Sequence, residues 1–267
     1  MRRIALALLI LFALPGCSLS VDWYHHYQIE SAIERQDFTR ALDILQKIIQ
    51  HEPDGSQALN AARRGSRVAQ LDAKNYPLAI EFYRHIVLRS PDSEERRQAQ
   101  KVIAEIQYEN LQDYNQAVVE YEKLLRLQNQ PSEAFRYRLL LAKSQLRLNN
   151  IDQAVAEIDL LLNQNHARDE IFEAKVLKAN TLVAARQLPE AASLWHSILK
   201  DFPEKSKREN VALNLVVCYE EMNDFSQAIE VLESMRVDYA HPDFLDLRIQ
   251  RLKERAKNQP GAQGFHR

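Results

Sequence analysis

One motif returns six times along this chain, and its spacing limits the fold more than any other feature. The motif is a polar residue, a large residue next to it, an Ala three positions further on, and bulky apolar residues four and seven beyond the Ala. The copies begin with Asp37, Phe38, Ala41, Leu45 and Ile48, then Asn75, Tyr76, Ala79, Tyr83 and Ile86. Asp113, Tyr114, Ala117, Tyr121 and Leu124 follow, then Asn150, Ile151, Ala154, Ile158 and Leu161. Gln187, Leu188, Ala191, Trp195 and Ile198 precede the last copy, Asp224, Phe225, Ala228, Leu232 and Met235. Successive alanines lie 38, 38, 37, 37 and 37 residues apart.

Apolar residues at these offsets share one face of a helix. The Ala leaves room for a second helix to approach, and Asp or Asn before the helix can accept its free amide N–H groups. Pro53, Pro91 and Pro203 stand twelve residues after their alanines, where a proline ends a helix and turns the chain. Pro131 and Pro242 come two residues later in their copies, and the fourth copy has His166 at the equivalent place. A second amphipathic stretch precedes each turn, as at Tyr137 to Leu148 and Val211 to Met222. Each repeat is therefore expected to be a helical hairpin, and hairpins of this kind bury their faces by stacking. With 5 Gly and 9 Pro in 267 residues, breakers are too sparse for a turn-rich β fold.

Period and pattern together resemble the tetratricopeptide repeat (TPR) family over about residues 22–242. The resemblance implies an all-α, right-handed superhelical solenoid of about six hairpins. The second helix fits in all six units and the first helix less well. The second repeat has Arg63, Arg64 and Arg67 where the family prefers apolar or small residues, and the fifth has Lys178 where Leu is usual. The third, around Ile103 to Tyr108, is one residue longer before its turn. Residues 243–257 are expected to form a capping helix, with Leu245, Ile249 and Leu252 along one stripe, and residues 258–267 a frayed tail. No boundary is visible between Asp22 and Lys257.

The N-terminus carries a different message. Arg2 and Arg3 precede eleven apolar residues, Ile4 to Leu14, and then Leu14, Pro15, Gly16 and Cys17. Eleven residues are too few to span a bilayer. The pattern resembles a lipoprotein signal peptide over residues 1–16, with Cys17 as the lipidated residue, although Pro15 departs from the usual lipobox. Cleavage there removes Arg2 and Arg3 and takes the formal charge from −2 to −4. The acyl chains of a mature lipoprotein exceed the threshold for stable anchoring. Ser18, standing where Asp marks inner-membrane retention in lipoproteins of this type, implies the outer membrane. Residues 17–21 form a short tether, spanning at most about 18 Å, which keeps the first repeat near the bilayer.

The chemistry expected of such a chain is binding. The near-neutral charge argues against nucleic acid. With Cys17 acylated, Cys218 is alone, so neither a disulfide nor a thiolate metal cluster can form; its apolar surroundings mark a structural thiol. His25 and His26 point about 100° apart on a helix and do not share a metal. Ser197 and Lys200 match an S-x-x-K pattern without the companion motifs of the enzymes that use it. No cofactor, metal or catalytic set is expected. By resemblance, partner-facing positions are Trp23, His26, Arg64, Lys143 and Asn180 in a concave groove lined by first helices. A basic cluster of Arg63, Arg64, Arg67, Arg96, Arg97 and Lys101 suits an acidic partner. A lipobox with about six TPRs resembles the pilotins of type IV pilus secretins and the TPR lipoprotein of the barrel-assembly machinery. The resemblance implies a periplasm-facing outer-membrane scaffold that holds an envelope protein or peptide. An accessory docking peptidoglycan-remodelling enzymes is the second reading.

Overall fold

The computed structural model describes residues 17–127, 131–237 and 239–258. The expected signal peptide and nearly all of the expected tail lie outside them, as does the Cys17 side chain. Among the described residues every regular element is a helix, and no helix is long and apolar enough to cross a membrane.

The chain divides into two compact units, Met1–Gln112 and Asp113–Arg267. The division falls in the turn of the third repeat, where the sequence shows no change of composition. The first unit contains α1 (Cys17–Glu34), α2 (Phe38–His51), α3 (Ser56–Arg67), α4 (Tyr76–Arg89) and α5 (Ser93–Glu105). The second contains α6 (Tyr114–Leu127), α7 (Pro131–Arg147), α8 (Ile151–Leu162), α9 (Arg168–Ala184) and α10 (Leu188–Asp201). It continues with α11 (Pro203–Arg208), α12 (Ala212–Glu221), α13 (Phe225–Met235) and α14 (Pro242–Lys257). Residues 17–21 are thus the opening turns of α1.

The second helices α2, α4, α6, α8, α10 and α13 each carry one motif. All six alanines, at 41, 79, 117, 154, 191 and 228, are 0% exposed, because the facing helix leaves no space beyond a methyl group. The side chains of Asp37, Asn75, Asp113 and Asp224 accept the N–H of the residue three positions on, at 3.1 to 3.3 Å. Each such cap contributes about 1 kcal/mol. Asn150 and Gln187 make no side-chain cap bond.

Each turn adds a feature that the sequence hides. Gln36, Lys74, Gln112, Asn149, Arg186 and Asn223 all have φ between 50° and 61°. That left-handed step lets the next N–H reach back to a carbonyl five residues earlier, as Asp37 does to Ala32 (2.8 Å) and Asp224 to Tyr219 (2.8 Å).

The extra residue of the longer repeats is also visible. The first helices of repeats two and three end in wide π turns, Val68–Asp72 and Ile106–Asn110. There Ala73 donates to Val68 and Leu111 to Ile106, five residues back. Asn75 reaches Ala69, six residues back, where the ordinary turns reach five. One added residue makes a 38-residue repeat, and a widened turn absorbs it without shifting the motif that follows.

In the first unit, Ile29, Leu45, Ala62, Phe82, Ile103 and Ile106 belong to one core. Gly65 sits against the ring of Phe82, where a Cβ would lie 2.6 Å from two ring carbons. In the second unit three clusters of buried residues form the core, one with Phe135 and Ile158, one with Trp195 and Leu215, and one with Leu232 and Leu245. The stripe of α14 is buried as its periodicity predicts, at Leu245, Ile249 and Leu252.

Candidate binding surfaces

Charged residues of neighbouring first helices pair with one another. In the first unit Glu30 of α1 meets Arg64 of α3 at 2.6 Å, and His26 lies 3.7 Å from the same carboxylate. Arg63 of α3 forks onto Glu95 of α5, at 2.7 and 2.8 Å. With Ser90 also donating, this pair holds the Glu95 carboxyl down at about 2 and raises Arg63 further. Arg97 binds Glu94 on its own helix, 2.9 Å from Nε, and Arg96 donates to the carbonyls of Ser90 and Pro91. Lys101 lies 3.9 Å from Glu105. In the second unit Lys143 of α7 reaches Glu173 of α9 (3.2 Å), and Arg248 of α14 reaches Glu220 of α12 (2.8 Å).

The basic residues singled out in the sequence therefore spend much of their charge on bracing first helices or, for Arg96, on the carbonyls that follow α4. Their partners sit about thirty residues away for Arg63, Arg64 and Lys143, beyond any local pattern. The structure brings His26 and Arg64 together in a small cleft of about 140 Å³, with Ile29, Gln57 and Asn60. Trp23 does not line that cleft; it stacks on Tyr27, with ring centroids 5.9 Å apart. Arg67 and Asn180 are exposed.

A larger concavity lies within the second unit, where the first helix of repeat six is broken. In repeat six, Pro203 does not simply separate two units but opens the short α11. A break follows at Asn210, with φ 53°, before α12 resumes; the Val211 N–H closes the bend onto the Ser206 carbonyl at 2.9 Å. Around this break is a cavity of about 880 Å³. Leu199 of α10, Ala212 and Leu215 of α12, and Val231 and Met235 of α13 line its apolar part. His196, Lys207, Arg208 and His241 supply polar groups, with Glu204 as the acidic member. Its size and mixed lining suit a few side chains of a peptide. Sequence reasoning missed it, although a signal was present. Asn210, a residue type tolerant of left-handed backbone, stands inside what a 37-residue period makes a continuous helix.

Ser197 does meet a lysine, but it is Lys175, at 3.2 Å, and not Lys200. Lys175 is bound at 2.6 Å to Asp201, whose carboxyl the lysine and Ser197 hold below its usual range. Cys218 is fully buried, and burial pushes its thiol up, away from the thiolate. Among the described residues no three His, Cys, Asp or Glu side chains converge as metal ligands would.

This geometry defines a class of protein, an all-α solenoid of the tetratricopeptide kind. The tetratricopeptide repeat family model matches residues 107–131. Among curated proteins none matches the chain. Among solved structures, one similar fold is PilW, described as a widely conserved type IV pilus biogenesis factor. It is 15% identical with a TM-score of 0.51, over 86% of this chain and 98% of that one. BtubC (BKLC) from P. vanneervenii is 13% identical with a TM-score of 0.50, over 88% of this chain and 93% of its own. A chain of the Naa15/Naa10 assembly bound to HypK-THB has a TM-score of 0.58 at 13% identity. It matches 86% of this chain, which spans only 38% of that longer one. Identities this low speak for the fold alone.

Proposed function

We propose that this chain is a lipid-anchored scaffold of the bacterial envelope that holds a segment of another envelope protein and assists assembly of an outer-membrane or pilus complex. The observation that carries the binding role is the 880 Å³ cavity at the broken first helix of repeat six. Its apolar floor removes bulky side chains from water, and Lys207 and Arg208 at its edge outnumber Glu204 and favour an acidic neighbour in the same segment. The lipobox ending at Cys17 supports the anchor, and the near full-length likeness to the fold of PilW supports the assembly role.

The test is affinity capture from detergent-solubilised envelopes followed by mass spectrometry, with wild type beside Ser234→Trp. Ser234 is exposed and borders the cavity, so an indole there fills the space without disturbing a core. Subunits of an outer-membrane or pilus assembly held by wild type and lost by the variant are the expected result. Equal capture by both proteins removes the cavity from the proposal. Capture of peptidoglycan hydrolases instead replaces assembly with the docking of wall-remodelling enzymes. For the anchor, Cys17→Ser is expected to leave the membrane fraction, and retention there refutes lipid anchoring.

A further inference from the structure

The outer face of α1 departs from what a terminal repeat needs. End repeats of a stacked array face water on one side and are normally polar there. Here Trp23 is 68% exposed, Tyr24 53% and Tyr27 58%, although Ile29 and Ala32 of the same helix are buried in the unit. Trp23 and Tyr27, four residues apart, are stacked nearly parallel at 14°. Beside them a polar cleft of about 280 Å³ is lined by Tyr24, Tyr27, Gln28, Ser31, Arg35 and Arg40, among others. Tyr24, Tyr27, Gln28, Ser31 and Arg35 follow one helical stripe.

We infer that this aromatic face is seated in the interfacial layer of the membrane, with Trp23, Tyr24 and Tyr27 among the lipid glycerol and upper acyl groups and Arg35 and Arg40 at phospholipid phosphates. The inference rests on the anchor reading and extends it. The composition points to a bilayer: Trp and Tyr combine an apolar body with a polar tip, which is why they collect at membrane interfaces. Placement points the same way. Cys17, the expected lipid attachment site, lies on the same helix, about 9 Å from Trp23 along its axis. Acyl chains inserted from that position bring this stripe to headgroup depth, and two arginines at its edge meet anionic lipid there. A second copy of the chain is the competing occupant, but it gives no reason for the stripe to lie so close to the anchor.

The chain has two tryptophans, and Trp195 is fully buried in the second unit, so an interfacial quencher reads Trp23. The experiment takes the lipidated protein purified from membranes and reconstitutes it into phosphatidylethanolamine–phosphatidylglycerol vesicles, some brominated near the top of the acyl chain. Flotation and fluorescence are measured together, with Trp23→Phe as the control. The expected result is co-flotation, clear loss of wild-type emission in brominated vesicles, and no loss in Trp23→Phe. Co-flotation with no loss of wild-type emission in brominated vesicles overturns the interfacial seat while leaving the anchor intact. Failure to float overturns the anchor, and the seat with it. Concentration-dependent shielding of Trp23 from aqueous iodide in dilute detergent, with no quenching by brominated lipid, assigns the face to a second copy and also overturns the seat.

Discussion

Replacing Gly65 with Ala tests whether close helix approach outweighs helix propensity in the first unit. In an exposed helix interior this change stabilises by about 1 kcal/mol, because Ala loses less backbone freedom on folding. Here the added methyl would stand 2.6 Å from Cε1 and Cζ of Phe82 and 2.8 Å from Cδ1. Carbon atoms rest about 3.5–4.0 Å apart, so the ring or the α3 backbone must retreat by about 1 Å. Phe82 is buried in the core with Ile86 and Ile103, and overpacking of this kind costs about 1–3 kcal/mol. The net expectation for Gly65→Ala is destabilisation by about 1 kcal/mol. Hydrogen exchange followed by mass spectrometry reads this locally, so the two units need not unfold together. Peptides from α3 and α4 should lose about five- to tenfold in protection, while those from α12 and α13 should not change. The sign should reverse in a Phe82→Leu background, where the ring is gone and the propensity gain remains. Equal or greater protection in Gly65→Ala alone, or no reversal in the double variant, refutes the argument.

Two further outcomes are expected. Because the folded Glu95 carboxyl is held at about 2 by Arg63 and Ser90, its stabilising effect is complete above the ordinary value of 4.5 and is lost as pH falls from there toward 2. Arg63 is 43% exposed, so solvent screening limits the effect to about 1 kcal/mol. Glu95→Gln should lower stability at pH 6 and flatten its acid dependence, as measured by urea unfolding at both ends of that window. The buried Cys218 thiol should resist an aromatic disulfide reagent in the native lipidated protein and react once in denaturant, giving one thiol per chain. Two thiols after unfolding contradict acylation of Cys17, and a thiol reactive in the native protein contradicts the burial.

The second helices were legible because one constraint, room for only a methyl group at the crossing, recurs at Ala41 and its five counterparts. The capping helix was legible for a related reason: Leu245, Ile249 and Leu252 keep helical spacing with polar residues between them. First helices were harder. The change from 38 to 37 residues announced an insertion, but its place at Val68–Asp72 and Ile106–Asn110 is decided by packing. Four of the six left-handed turns were hidden because Gln36, Lys74, Gln112 and Arg186 occupy positions where glycine is the usual marker. In the candidate sites, Arg63 and Arg64 looked like cationic surface because Glu95 and Glu30 are remote in the chain and close only after stacking. The cavity of repeat six depends on a single break at Asn210, and one polar residue inside an amphipathic stretch is a weak mark.

The wide turns before Lys74 and Gln112 give the molecule an unusual freedom in its length. An ordinary helix that gains one residue rotates everything after it by about 100°, turning an apolar stripe away from its neighbour. A π turn at the very end of the helix takes up that rotation within five residues, so the next hairpin starts in phase. Single-residue insertions and deletions at these two places are thus confined to the local backbone. Such a chain can gain or lose residues one at a time between its repeats and keep every buried alanine in register.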